Sequence, residues 1–143
     1  MDVAVVGLGR TAYARPRKTE RSTLALAAEA ARAAIADAGL APADVDGLAC
    51  FGVSDTSLHS QVSFAIGIDE VAWNLDVNGG GDTVCATVQA AAAAIVTGQC
   101  KVAVVFRSLN GRSGVRFGQG EGVASTLSHF EPSLDRPTGL GRR

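Results

Sequence analysis

The sequence is short of aromatic side chains, of charge and of paired cysteines, and each shortage excludes something. Only 5% of its 143 residues are aromatic, which argues against an aromatic-rich β-sandwich. Charged residues make up 19%, against a typical ~25%. The 13 basic and 14 acidic residues leave a net charge of −1, so there is no electrostatic footprint for nucleic acid or anionic lipid. Cys50, Cys85 and Cys100 are an odd number at wide spacing, with no CxxC pair, and His59 and His129 lie away from them in the chain. That pattern argues against both a disulfide framework and a zinc site. The apolar start, Val3 to Val6, is too short for a signal-peptide core. No uncharged apolar run reaches the ~18 residues of a membrane span. We therefore expect a reduced, soluble, cytoplasmic protein without metal.

What is present is a globular composition, 47% hydrophobic and rich in small residues. A chain of this length makes one ordinary domain, which buries roughly two-thirds of its unfolded surface. Asp2 to Val6, followed by Gly7-Leu-Gly9, reads as a buried strand ending in a tight turn. From Ser22 the period changes: Leu24, Ala28, Ala31, Ile35 and Ala38 form the stripe of an amphipathic helix, with Ser22 or Thr23 as N-cap and Gly39 as stop. Gly47 to Phe51 reads as a second strand, Thr56 to Gly67 as a short helix and Val71 to Val77 as a third strand. Asn78-Gly-Gly-Gly81 breaks the chain, Asp82 is placed to cap, and Thr83 to Thr97 continues as a helix. Lys101 to Phe106 is a fourth strand, and beyond Arg107 the chain turns Gly- and Arg-rich. This alternation predicts an α/β fold, a mostly parallel sheet with helices on both faces.

The helix over Thr83 to Thr97 carries no charge on any face. A helix without a polar face is buried on all sides, yet one open sheet covers only one side. A second layer is therefore expected above it, from another subunit or from further protein, unless the chain's own loops pack over it.

Several segments together resemble the N-terminal half of a thiolase-superfamily protein, in the branch of sterol-carrier-protein-X-type thiolases and actinobacterial lipid-transfer proteins, thiolase-like aldolases of steroid CoA thioesters. They are Val5-Val-Gly-Leu-Gly-Arg-Thr11, Asp37-Ala-Gly-Leu-Ala-Pro-Ala-Asp-Val-Asp-Gly47, Gly79-Gly-Gly81 ahead of the Ala-rich helix, Thr97-Gly98, and Arg107 to Gly118. The resemblance implies one half of an α-β-α-β-α sandwich, in which the uncharged helix is a central one. It divides the chain into an incomplete thiolase-like domain over 1–118 and an irregular, truncated tail over 119–143. It also implies acyl-CoA metabolism, by acyl transfer or by retro-aldol cleavage of a carbon–carbon bond. The family's catalytic second half has no counterpart here, so the chain is expected to be inactive alone.

In thiolases the nucleophilic cysteine precedes the central helix, and by family spacing that position is Gly81. The departure counts against a covalent acyl-enzyme and fits the aldolase branch. Cys85, in the first turn of the helix, is expected in the core, with a nucleophile role the alternative. Cys50 and Cys100 are expected to be core or strand-end residues, and neither His59 nor His129 a ligand. Asn78, Gly79, Gly80 and Gly81 either receive a thioester oxyanion on their backbone amides or simply permit a tight turn. Arg107, Arg112 and Arg116 either hold CoA phosphates or form a solvated basic loop. CoA thioester is the family's substrate, and no cofactor is assigned to the chain. The resemblance further implies a homodimer through Val71 to Val77, and a small OB-fold, zinc-ribbon partner. Two other functions compete: an interaction subunit that pairs with a separate thiolase half, and a dinucleotide-binding domain suggested by Gly7-Leu-Gly9-Arg-Thr-Ala12. The second lacks a helix opening on its glycines and an acidic residue at the end of the second strand, where position 51 is Phe.

Overall fold

The structure, a computed structural model, describes residues 2–12, 21–52 and 56–110. Its elements are α1 (Thr23–Asp37), a 3-10 turn (Pro42–Asp44), β1 (Gly47–Gly52), α2 (His59–Ile66), β2 (Trp73–Asn78), α3 (Thr83–Val96) and β3 (Ala103–Phe106). Each follows from a local signal. Ser22 caps α1, its hydroxyl accepting from the Ala25 amide at 3.1 Å. Ala27, Ala31 and Ile35, spaced by four, form the buried face of α1, one position away from part of the expected stripe. Gly39 and Gly67 follow α1 and α2 in the left-handed region, at φ of 70° and 81°, where a Cβ would be strained.

The sheet order is β2-β1-β3, all parallel, with β1 in the centre and buried along its whole length. Leu48, Cys50, Val104 and Phe106 gather with Ala27, Ala31, Ile35, Val62 and Ile66 into one core under α1 and α2. Alternation sends Ala49 and Phe51 to the opposite face, where α3 packs with Thr87, Ala91 and Ala94. Asp46 sets the register on both sides of β1. Its carboxylate accepts from the Lys101 and Val102 amides at 2.8 and 2.9 Å, and its carbonyl accepts from Ala72 N–H at 2.8 Å. The expected fold class, a parallel sheet with helices on both faces, is thus what forms.

Two expectations are corrected. Asp2 to Val6 is not a strand: the segment is extended but joins no ladder, and Val5 and Leu8 are each 77% exposed. A strand needs a neighbour for its amides and carbonyls, and none of the described strands supplies one. Instead the segment lies along α1, where Leu8 N–H donates to Asp37 Oδ2 at 2.9 Å. A Cβ on Gly7 would come within 2.2 Å of the Ala34 carbonyl oxygen, and one on Gly9 within 2.0 Å of that of Ala30. These glycines therefore serve close packing against the middle and end of a helix. A dinucleotide fingerprint would instead place them at a helix start. Secondly, the alternative that the chain's own loops pack over α3 is not realised among the described residues, which leaves the expected outside layer as the cover. Only Thr87, Ala91 and Ala94 are buried, and Val84, Val88 and Val96 are exposed.

Candidate functional site

Because the strands are parallel, their carboxyl ends share one edge, and the N-termini of α1, α2 and α3 return to it. Open α/β sheets bind ligands there. The loop after β2 is tied to β1 by Gly79 N–H, which donates to the Gly52 carbonyl at 2.9 Å. Thr83 closes the turn, its amide and its hydroxyl donating to the Gly80 carbonyl at 3.1 and 2.7 Å. A Cβ at Gly79 would meet Thr83 Cγ2 at 2.2 Å, whereas one at Gly81 would meet nothing within 4 Å. So Gly79 is required by packing and Gly81 is not. The amides of Gly80, Gly81 and Asp82 donate to no group among the described residues. They stand at the positive end of the α3 dipole, a geometry suited to an anionic oxygen.

The other predicted residues fall variously. Asp82 holds the N-cap position but in helical conformation, without a side-chain capping bond, so its expected capping role is not realised. Cys85 is exposed, contrary to the expected core position, because the buried positions of α3 begin at Thr87. Arg107 is half-buried and stacks its guanidinium 5.0 Å above the ring of Phe51. Arg112, Arg116, His129 and the 118/119 boundary lie outside the described residues. Cys50 and Cys100 are buried, as expected. No group of His, Cys, Asp and Glu among the described residues is arranged to hold a metal ion. No helix among them is long and apolar enough to cross a membrane.

Two clusters at this edge escaped sequence reasoning. In the first, Thr56 and Ser108 hydroxyls lie 3.1 Å apart and those of Thr23 and Ser57 also 3.1 Å apart, joining the ends of β1 and β3 to the start of α1. In the second, Asp76 accepts from the Cys50 thiol at 2.9 Å and the His59 amide at 3.1 Å, and pairs with His59 Nδ1 at 2.6 Å. Burial, then the hydrogen bond to Asp76 and that residue's charge, push the Cys50 thiol up to about 12, against a smaller opposing effect of the His59 amide. Burial works against the Asp76 charge, but the hydrogen bonds from Cys50 and His59 and the charge of the imidazole outweigh it and hold the carboxyl below its usual range. Strand register, with the placement of α2, makes this cluster. Its only trace in the sequence is a charged residue within the apolar run Leu75 to Val77.

No family model matches the chain. It is 48% identical over 116 residues to a protein of Mycobacterium tuberculosis named 17-hydroxy-3-oxo-4-pregnene-20-carboxyl-CoA lyase, matching 81% of this chain and 29% of that one. It is 48% identical over 118 residues to a steroid side-chain-cleaving aldolase of Thermomonospora curvata, again covering 29% of the relative. Among solved structures, the Ltp2–ChsH2(DUF35) aldolase aligns with TM-score 0.72 and 43% identity, over 92% of this chain and 34% of that chain. The 3-oxoacyl-[acyl-carrier-protein] synthase III of Aquifex aeolicus shares the fold at TM-score 0.55 and 19% identity, over 63% of this chain and 30% of that one. The fold is thus thiolase-like. Within that class, the chain is nearly half identical to a segment of two proteins named as a steroid-carboxyl-CoA lyase and a steroid side-chain-cleaving aldolase, and it spans about 29% of the length of these curated relatives.

Proposed function

We propose that this chain contributes the thioester-binding edge of a thiolase-like aldolase acting on steroid or related acyl-CoA thioesters. The observation that carries the reading is the Asn78–Gly81 loop, in a segment nearly half identical to two proteins named for steroid side-chain cleavage. Together with Asp82 it presents three unengaged backbone amides at a helix N-terminus, and the resemblance places glycine, Gly81, where thiolases keep their nucleophile. Gly81 has room for a side chain, so no steric need explains the missing thiol. A reaction without a covalent acyl-enzyme fits this arrangement.

In a retro-aldol cleavage of a 17-hydroxy steroid 20-carboxyl-CoA, a base removes the hydroxyl proton and the C17–C20 bond breaks. Its electron pair moves to the thioester carbonyl as an enolate, which is then protonated at C20. The products are a 17-ketosteroid and propanoyl-CoA. The amides of Gly80, Gly81 and Asp82 would hold the enolate oxygen, worth about 3 kcal/mol per well-placed donor.

The exposed apolar face of α3, with Val84, Val88 and Val96, favours a neighbouring protein layer there. It supports equally the reading in which this chain is an interaction subunit covered by a separate thiolase half. The outer edge of β2 has no strand beside it among the described residues, which supports pairing of two copies through Val71 to Val77. An OB-fold, zinc-ribbon partner, implied by the family resemblance, is proposed as well, and the likeness to the Ltp2–ChsH2(DUF35) aldolase supports a partner subunit.

The test is to incubate the purified native protein, with and without such a partner, with a 17-hydroxy steroid 20-carboxyl-CoA and to follow propanoyl-CoA by mass spectrometry. Release of propanoyl-CoA with the 17-ketosteroid is expected. Recovery of the intact steroid thioester in the presence of the partner, with neither propanoyl-CoA nor 17-ketosteroid formed, would overturn the reading.

A further inference from the structure

The sheet register brings three groups from three elements to one point. Cys50 of β1 and Asp76 of β2 are register partners, and His59 opens α2. The residue ahead of His59 is Leu58, whose side chain has nothing to offer the free amides of the first turn. The Asp76 carboxylate takes that place from the neighbouring strand, accepting the His59 amide on Oδ1 and facing His59 Nδ1 with Oδ2. A negative group at a helix N-terminus is also favoured by the dipole. Asp76 stands two residues before Asn78, and the next residue, Gly79, is bonded to Gly52 at the end of β1. The last turn of backbone before the loop is therefore held from two sides, by α2 through the carboxylate and by β1 through the Gly79 amide.

We propose that Asp76 and His59 are positioning residues for the Asn78–Gly81 loop, the imidazole Nδ1–H and the carboxylate together fixing the base of the loop against α2. With Asp76 ionised, the ring donates from Nδ1. The contribution of His59 to the loop is a directed hydrogen bond from Nδ1. Cys50 adds a third bond to the same carboxylate, which further fixes its orientation. That the loop binds a thioester rests on the function proposed above; that it is held by this pair rests on the hydrogen bonds alone.

Amide hydrogen exchange in the intact protein separates the two. The amides of Gly79 and Thr83, bonded to the Gly52 and Gly80 carbonyls, report its opening. In His59→Leu their exchange should quicken on the order of tenfold, the loss of one charge-assisted hydrogen bond, while peptides of α1 and β3 stay unchanged. In His59→Asn the side-chain amide nitrogen stands where Nδ1 stood, and exchange should return close to the wild-type rate. Asp76→Asn, which offers an N–H toward the His59 donors, should resemble His59→Leu. Unchanged loop exchange in His59→Leu, or an increase spread evenly over the molecule, would overturn the positioning role. A His59→Asn protein that exchanges as fast as His59→Leu would overturn the assignment to Nδ1. Protection of the same peptides by added propanoyl-CoA tests the thioester reading separately, so either idea can fail without the other.

Discussion

Raising the pH should unfold this protein through Cys50. The thiol is 1% exposed and sits against an ionised carboxylate, so its thiolate is doubly disfavoured in the folded state. Its folded value of about 12 exceeds the ordinary unfolded value of about 8.5–9. The folded state therefore keeps a proton that the unfolded chain gives up. The stability contributed by this group is fully present below about pH 9 and is lost progressively as pH rises toward 12. Between these values the loss approaches 1.4 kcal/mol per pH unit, or about 2.7 kcal/mol at pH 11. For a domain of this size that shifts a urea midpoint by on the order of 1–2 M. Urea unfolding followed by the fluorescence of the single tryptophan, Trp73, at pH 8, 9, 10 and 11 measures it. Cys50→Ala is the control. The variant starts less stable, having lost a buried thiol and its bond to Asp76, but its midpoint should fall less steeply above pH 9. Cys100, whose thiol is also raised by burial and by the charge of Asp46, remains in both proteins and cancels from the comparison. Parallel curves for the two proteins from pH 8 to 11 would refute the reasoning.

At the acid end the sign reverses. The depressed carboxyl of Asp76 contributes stability above the unfolded value of about 3.9, lost as pH falls through the folded value, so Asp76→Asn should unfold with a flatter dependence below pH 4 in a circular-dichroism titration. Asp46→Ala removes the acceptor for two amides of the turn into β3 and should cost about 1.5–3 kcal/mol, read as a lower urea midpoint with no change in fold. Gly9→Ala forces a methyl to within 2.0 Å of the Ala30 carbonyl. The expected outcome is release of residues 2–12 from α1, seen as faster tryptic cleavage after Arg10, with the core transition changed by less than about 1 kcal/mol.

Much of the architecture was legible from local chemistry. Ser22, Gly39 and Gly67 punctuate the chain by capping and by positive φ, requirements that a residue type meets or fails on its own. The apolar runs at Gly47–Phe51 and Lys101–Phe106 became buried strands because a parallel sheet covered on both faces needs side chains without charge. The glycines before α3 marked the loop as a candidate binding edge. In each case the reason is contained within a few residues.

What tertiary structure decided is pairing. Asp2 to Val6 has the composition of a strand, yet it joins no ladder, since a strand exists only with a neighbour. Cys85 and Cys50 are the same residue type in comparably apolar surroundings. Helix phase leaves the first exposed, while strand alternation buries the second. Cys50, His59 and Asp76 are separated by up to 26 residues, and only the parallel register of β1 and β2, with α2 crossing between them, sets them in hydrogen-bond contact. Sequence by itself determined where helices start and stop and which segments avoid water, because those depend on neighbours in the chain. The contacts between side chains from different elements depend on strand order and register, which local patterns do not contain.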